Sequence, residues 1–276
     1  MNNQPNQFDD ASEKNSTGSG KRKVVLICVL VALAVLVAVI LFLHFREKPV
    51  ENVPTDPTVT EPTATEAVTD PTEPPKVMLD NMAALYAQNP DIVGWIRIDG
   101  TKLDYPVMYT PDNEEKYFRA DFEGNFTFTG LPILDKDCSL DPESDNLIIY
   151  GHNMKNGTAF TTLTRYSKES FWEEHPTIFF STLYEERTYE VLAAFYDRVY
   201  LKTDDCFKFY QFIDAEDEAA FNEAYDYYKS KSVYDTGVTA EYGDNLLTLV
   251  TCAYHTEKGR FVVIARQVTE ELEATE

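Results

Sequence analysis

At 276 residues, with 43 % hydrophobic and 13 % aromatic side chains, the chain can bury one substantial core and has length left for other tasks. Its formal net charge is −23, of which residues 1–48 carry +2 and residues 49–75 carry −6, leaving −19 for residues 76–276. A domain that acidic does not suit nucleic acid or anionic lipid head groups, whose binding rests on Lys and Arg, and it favours cationic partners such as amines.

In chain order, the first feature is Val24 to Leu43, twenty uncharged and almost wholly apolar residues directly preceded by Lys21, Arg22 and Lys23. As a helix it would span about 30 Å, which matches a bilayer core, and the basic flank keeps the N-terminus inside. Ala32 and Ala34 also give a small-x-small cleavage pattern, yet cutting there would leave a chain beginning "VLVAVILFLHF", so an uncleaved anchor is the better reading. Residues 49–75 then hold seven of the fourteen prolines, seven threonines, six acids and no Lys or Arg. Such a segment repels itself, buries nothing and reads as an extended stalk. The expected organisation is a cytoplasmic tail (1–23), a membrane signal anchor (24–45), an extracellular stalk (46–76), a folded domain (77–270) and a short tail (271–276).

Within the folded part, Leu79–Gln88 has helical spacing and stops at Asn89-Pro90. Residues 91–110 read as strand, Asp-Gly turn and strand. Further strands are expected at 146–151, 177–182, 188–200, 246–252 and 260–268. One helix interrupts them, Asp214–Lys231, acidic at its start, Lys-bearing at its end and apolar along one face. No internal repeat is present. The pattern predicts a mostly β domain, a closed barrel with helical insertions.

Four cysteines are present: Cys28 in the apolar span, and Cys138, Cys206 and Cys252 beyond it. Three outer thiols cannot all pair within one chain, and no C-x-x-C or zinc-ligand spacing occurs. The acidic run from Asp135 resembles a calcium loop at its odd positions but has Leu140 where Gly is needed and Asn146 where Glu is needed, so it reads as a solvated turn. No metal or cofactor is expected.

Cys252 ends one apolar run and Arg260 begins the next, with seven residues between them. If the two runs form a hairpin, the thiol and the guanidinium stand together at its mouth, while Arg266 lies about 20 Å away at strand rise. A buried structural thiol beside a surface arginine fits the spacing equally well. A nucleophilic cysteine also needs a base or a cation. His255 sits in a charged loop and His175 before a proline. His152 directly ends a buried strand, between Gly151 and Asn153, which permit a sharp turn, and is the leading candidate.

The motifs "TLVTC" (248–252), "GRFVV" (259–263) and "YGHN" (150–153) resemble those of the sortases, cysteine transpeptidases of Gram-positive surfaces, and the stretches 91–110, 150–160 and 214–231 resemble class B. The resemblance runs from about residue 79 to 268. It implies a closed sortase-type β-barrel of about eight strands with an N-terminal helix and a helical insertion between late strands. It further implies Cys252 as nucleophile, His152 as general acid/base and Arg260 as oxyanion or substrate-positioning group, with Tyr150 and Asn113 lining the substrate groove. The partners implied are sorting-signal peptides of exported surface proteins and an amine from a peptidoglycan cross-bridge or a pilin Lys. Two rival readings share these residues. One is an extracellular thiol hydrolase of cell-wall peptides; the other is an anchored binding module with a Cys138–Cys206 disulfide and Cys252 in the core.

Overall fold

The computed structural model describes residues 76–269. The expected anchor, the C-terminal tail and all but the last residue of the expected stalk lie outside the described residues. Among the described residues no helix is long and apolar enough to cross a membrane.

The first helix, α1 (Asp80–Tyr86), is followed by Asn89, whose side chain takes the Asp91 amide (3.1 Å) and donates to the Phe122 carbonyl (2.7 Å). The expected hairpin forms as β1 (Ile92–Arg97) and β2 (Asp104–Met108), with Gly100 at φ 74°, a left-handed value that Gly adopts without strain. Strand β3 (Ile133–Leu134) was not anticipated, since two residues carry no period. Strand β4 (Asn146–Gly151) lies where its apolar run predicts. Two short elements also escape the sequence reading: a 3-10 stretch, Phe160–Ser167, and α2 (Glu169–Glu174). Strands β5 (Thr177–Thr182) and β6 (Glu186–Arg198) follow.

The late helix, α3, runs Glu218–Lys231 and starts four residues beyond the expected Asp214. Asp217 caps it, accepting the Ala220 amide at 2.9 Å, while Asp214 accepts the Asp145 amide (3.0 Å) beside the start of β4. Strands β7 (Leu246–Cys252) and β8 (Gly259–Gln267) complete the fold.

The eight strands close into a barrel in the order β1-β2-β3-β4-β7-β8-β6-β5. The β2–β3 and β4–β7 pairs are parallel and the others antiparallel. Closure leaves no sheet edge unpaired. The β4–β7 pair is buried along nearly its whole length, as parallel strands covered on both faces must be. α3 lies against the outside of β6, where fully buried Tyr228 stacks on Phe195 with centroids 6.0 Å apart. A second apolar cluster, including Met82, Ile92, Met108 and Tyr117, seats α1.

Cys138 and Cys206 are unbridged, which removes the disulfide that the binding-module reading called for. Cys138 is a core residue whose sulfur takes the Ile148 amide (3.4 Å), and burial pushes its thiol up to about 12. Cys206 is exposed.

Candidate active site

The parallel pairing of β4 with β7 runs from Asn146↔Leu246 to Gly151↔Thr251. One step further along each strand stand His152 and Cys252, so two residues 100 apart in sequence leave the barrel side by side. Two hydrogen bonds fasten this end: Thr251 Oγ1 donates to the Gly151 carbonyl (2.8 Å), and Asn153 Nδ2 donates to the Cys252 carbonyl (2.7 Å). Gly151 is required by packing rather than by a left-handed turn, because a Cβ there would lie 2.4 Å from the Phe160 ring.

On the other side of β7, Cys252 is directly opposite Arg260 of β8, as the hairpin reading predicts. The turn between them closes with the Ala253 amide on the Gly259 carbonyl (3.0 Å). A Cβ on Gly259 would come within 2.2 Å of the Ala253 carbonyl oxygen, so this turn admits only glycine. Arg260 Nη1 donates to the carbonyls of Gly259 (3.0 Å) and Lys258 (3.3 Å). Arg266, at the far end of β8, is opposite Leu246 and pairs with Glu190 (3.2 Å). Both Cys252 and Arg260 are half-buried, which leaves each reachable from solvent.

His152 is also half-buried, and its Nε2 lies 2.9 Å from the Phe118 carbonyl oxygen. A carbonyl only accepts, so Nε2 is the nitrogen that donates here, which leaves Nδ1 for a second partner. The Phe118 ring packs beside the imidazole, 5.9 Å between centroids. The other two histidines among the described residues are engaged elsewhere. His255 lies exposed against Tyr196 (4.9 Å), and His175 packs on Phe171 (4.5 Å).

Tyr150, the residue of β4 opposite Val250, donates its hydroxyl to Asp135 (2.9 Å). The stretch from Asp135 is a turn, as expected, but Asp135 itself is half-buried rather than solvated. Burial raises the Asp135 carboxyl above its usual range, against the lowering effect of the Asp137 amide and the Tyr150 hydroxyl. Burial, then the charge of Asp135, pushes the Tyr150 phenol well above its ordinary value, and the positive charge of Arg260 pulls the other way. Asn113 is exposed in the loop between β2 and β3, where its backbone exchanges hydrogen bonds with Thr110 (2.9 Å each).

Two contributors to this site were missed from sequence. Asn153 adjoins His152, but its grip on Cys252 exists only because β4 and β7 pair in parallel. Phe118 acts through a backbone carbonyl, which leaves no side-chain signature.

A thiol flanked by a guanidinium on one strand and an imidazole on the other is an arrangement for acyl transfer through a covalent intermediate. The sortase-domain family model matches residues 96–268. The chain belongs to the sortase family. It is 33 % identical over 183 residues to sortase B of Staphylococcus aureus, covering 64 % of this chain and 70 % of that protein. It is 31 % identical over 195 residues to sortase B of Listeria monocytogenes, covering 69 % and 75 %. Its fold superimposes on the S. aureus sortase B–substrate complex with a TM-score of 0.62 at 31 % identity, covering 70 % of this chain and 87 % of that one. This is a class B sortase, and sortases are cysteine transpeptidases.

Proposed function

We propose that this sortase cleaves a C-terminal sorting motif of the Asn-Pro-x-Thr type after its Thr and transfers the new acyl end to an amine. The Cys252 thiolate attacks the Thr carbonyl, and Arg260 stabilises the oxyanion that forms there, the place where preorganised charge contributes most. The C–N bond breaks as His152 protonates the departing amine, leaving a thioester on Cys252. An incoming amine then attacks the thioester, gives its proton to His152 and releases the thiolate. Tyr150 and Asn113 line the groove that holds the motif. The acceptor is a peptidoglycan cross-bridge amine or a pilin Lys. The anchor at 24–45 and the stalk at 46–76 would hold the domain outside the cell, where exported proteins arrive.

The observation that carries this reading is the register Cys252↔Arg260 beside the strand end that bears His152. The test incubates the protein with a quenched Asn-Pro-x-Thr-type peptide, with and without an added amine, beside Cys252→Ala. Cleavage that requires Cys252 and yields an amine-linked product is the expected result. Cleavage with water as the sole acceptor would make the chain a thiol hydrolase instead. An inert Cys252 that also resists a thiol-reactive vinyl sulfone would end the enzymatic assignment of that residue.

A further inference from the structure

The row that begins with Cys252 and Arg260 has a third member. Asp197 of β6 is directly opposite Arg260 across the β6–β8 pair. Directly opposed residues on antiparallel strands project from one face, with Cβ atoms about 4.5–5.5 Å apart. Cys252, Arg260 and Asp197 therefore form a line across three strands, on the face of β6 whose Phe195 meets α3.

A carboxylate only 4 % exposed, one strand away from an arginine, is the obvious partner for it. No such ion pair forms. Among the described residues the Arg260 guanidinium bonds only to the carbonyls of Lys258 and Gly259. The Asp197 oxygens are already occupied. Oδ1 accepts the Tyr200 hydroxyl (2.7 Å) and the Arg198 amide (2.8 Å), and Oδ2 accepts the Tyr227 hydroxyl (2.6 Å). Tyr200 belongs to the segment that follows β6, and Tyr227 to α3. The neighbouring Arg198 guanidinium lies over the Tyr200 ring at 5.0 Å. Burial, then the bond to Asp197, raises both phenols above their ordinary value, so each remains a donor through the neutral range.

We propose that Tyr200 and Tyr227 hold the Asp197 carboxylate away from Arg260, so that the guanidinium stays free for the oxyanion formed during acyl transfer. The two tyrosines are positioning residues that act through Arg260, and the inference rests on the role given to Arg260 above. An arginine captured by a buried carboxylate would be neutralised and turned from the thiol; removing that carboxylate would then restore it.

The experiment uses the full chain in detergent, compares wild type with Tyr200→Phe/Tyr227→Phe, and adds Asp197→Asn to the double variant. In amine-dependent peptide transfer the double variant is expected to lose about tenfold or more in kcat with KM within about threefold. The triple variant is expected to regain kcat to within about threefold of wild type. A crystal structure of the double variant should show Asp197 and Arg260 paired. A triple variant as slow as the double, a double variant as fast as wild type, or an unmoved Asp197 in the crystal would each overturn the proposal. Should wild type prove inactive on every peptide, the functional reading fails while the crystallographic comparison still decides this one. If the double variant does not fold, Tyr227→Phe alone is carried through the same comparisons with the same outcomes.

Discussion

The side-chain amide of Asn153 donates to the carbonyl oxygen of Cys252 at 2.7 Å, so the chain leaving β4 grips the peptide unit of the thiol at the end of β7. A neutral hydrogen bond of this kind contributes about 1 kcal/mol net to stability. Its larger effect is on geometry, because it fixes the direction in which β7 delivers the sulfur. Asn153→Ala is expected to lower kcat for peptide transfer by about tenfold while costing about 1 kcal/mol in urea unfolding. Kinetics and denaturation on one preparation check it; loss of activity in strict proportion to loss of folded protein would assign Asn153 to folding alone.

Arg260 supplies a planar, permanently charged fork that lysine does not reproduce. Arg260→Lys is expected to reduce kcat by about 10²- to 10³-fold, the range seen when an oxyanion donor is removed. Arg266→Lys, at the opposite end of the same strand, should leave transfer within about twofold of wild type. An Arg260→Lys variant as fast as wild type would show that positive charge alone, rather than the planar fork beside Cys252, is sufficient.

Gly151→Ala would set a methyl 2.4 Å from the buried Phe160 ring. Overpacking of that kind costs about 1–3 kcal/mol. Adding Phe160→Leu makes room, so the double variant should melt at a higher temperature than Gly151→Ala alone. A double variant that melts lower would show that the ring and the glycine do not share the space.

Asp91, just before β1, accepts hydrogen bonds from Lys116 and from the Tyr117 hydroxyl (2.7 Å). These residues directly precede Phe118, whose carbonyl holds His152. Burial raises the Asp91 carboxyl, but the bonds from Lys116 and Tyr117 and the charge of Lys116 together bring it below 3.8. A carboxyl lowered by folding contributes stability that is fully present above its ordinary value and lost as the pH falls through the lowered one. Melting curves should therefore show Asp91→Asn less stable than wild type at neutral pH, with the gap narrowing as the pH falls below 3.8. A gap that persists unchanged in acid would mean that the carboxylate's charge plays no part.

How much of this was legible depended on what each residue does. The apolar runs of β4, β7 and β8 and the acid-to-Lys gradient of α3 are local patterns, and they placed Cys252 opposite Arg260 correctly. Beside Asn153, Gly151 suggests a sharp turn, but its purpose is the approach of Phe160, a contact that no local pattern encodes. The tie between Tyr150 and Asp135 was hidden in a run that looked like surface acid. The hold of Phe118 on His152 comes from a backbone atom in an irregular loop. Hydrophobic period reports which face is buried; it carries nothing about carbonyls, caps or the pairing of strands 100 residues apart.

The position of the β7–β8 hairpin in the barrel, between β4 and β6, has a bearing on how the protein is made. That hairpin is both the last part of the sheet to be synthesised and the piece that carries the thiol and its arginine. A chain that has emerged only as far as residue 245 has two raw strand edges and lacks both Cys252 and Arg260. Sealing the barrel and bringing Cys252 beside Arg260 are thus one event.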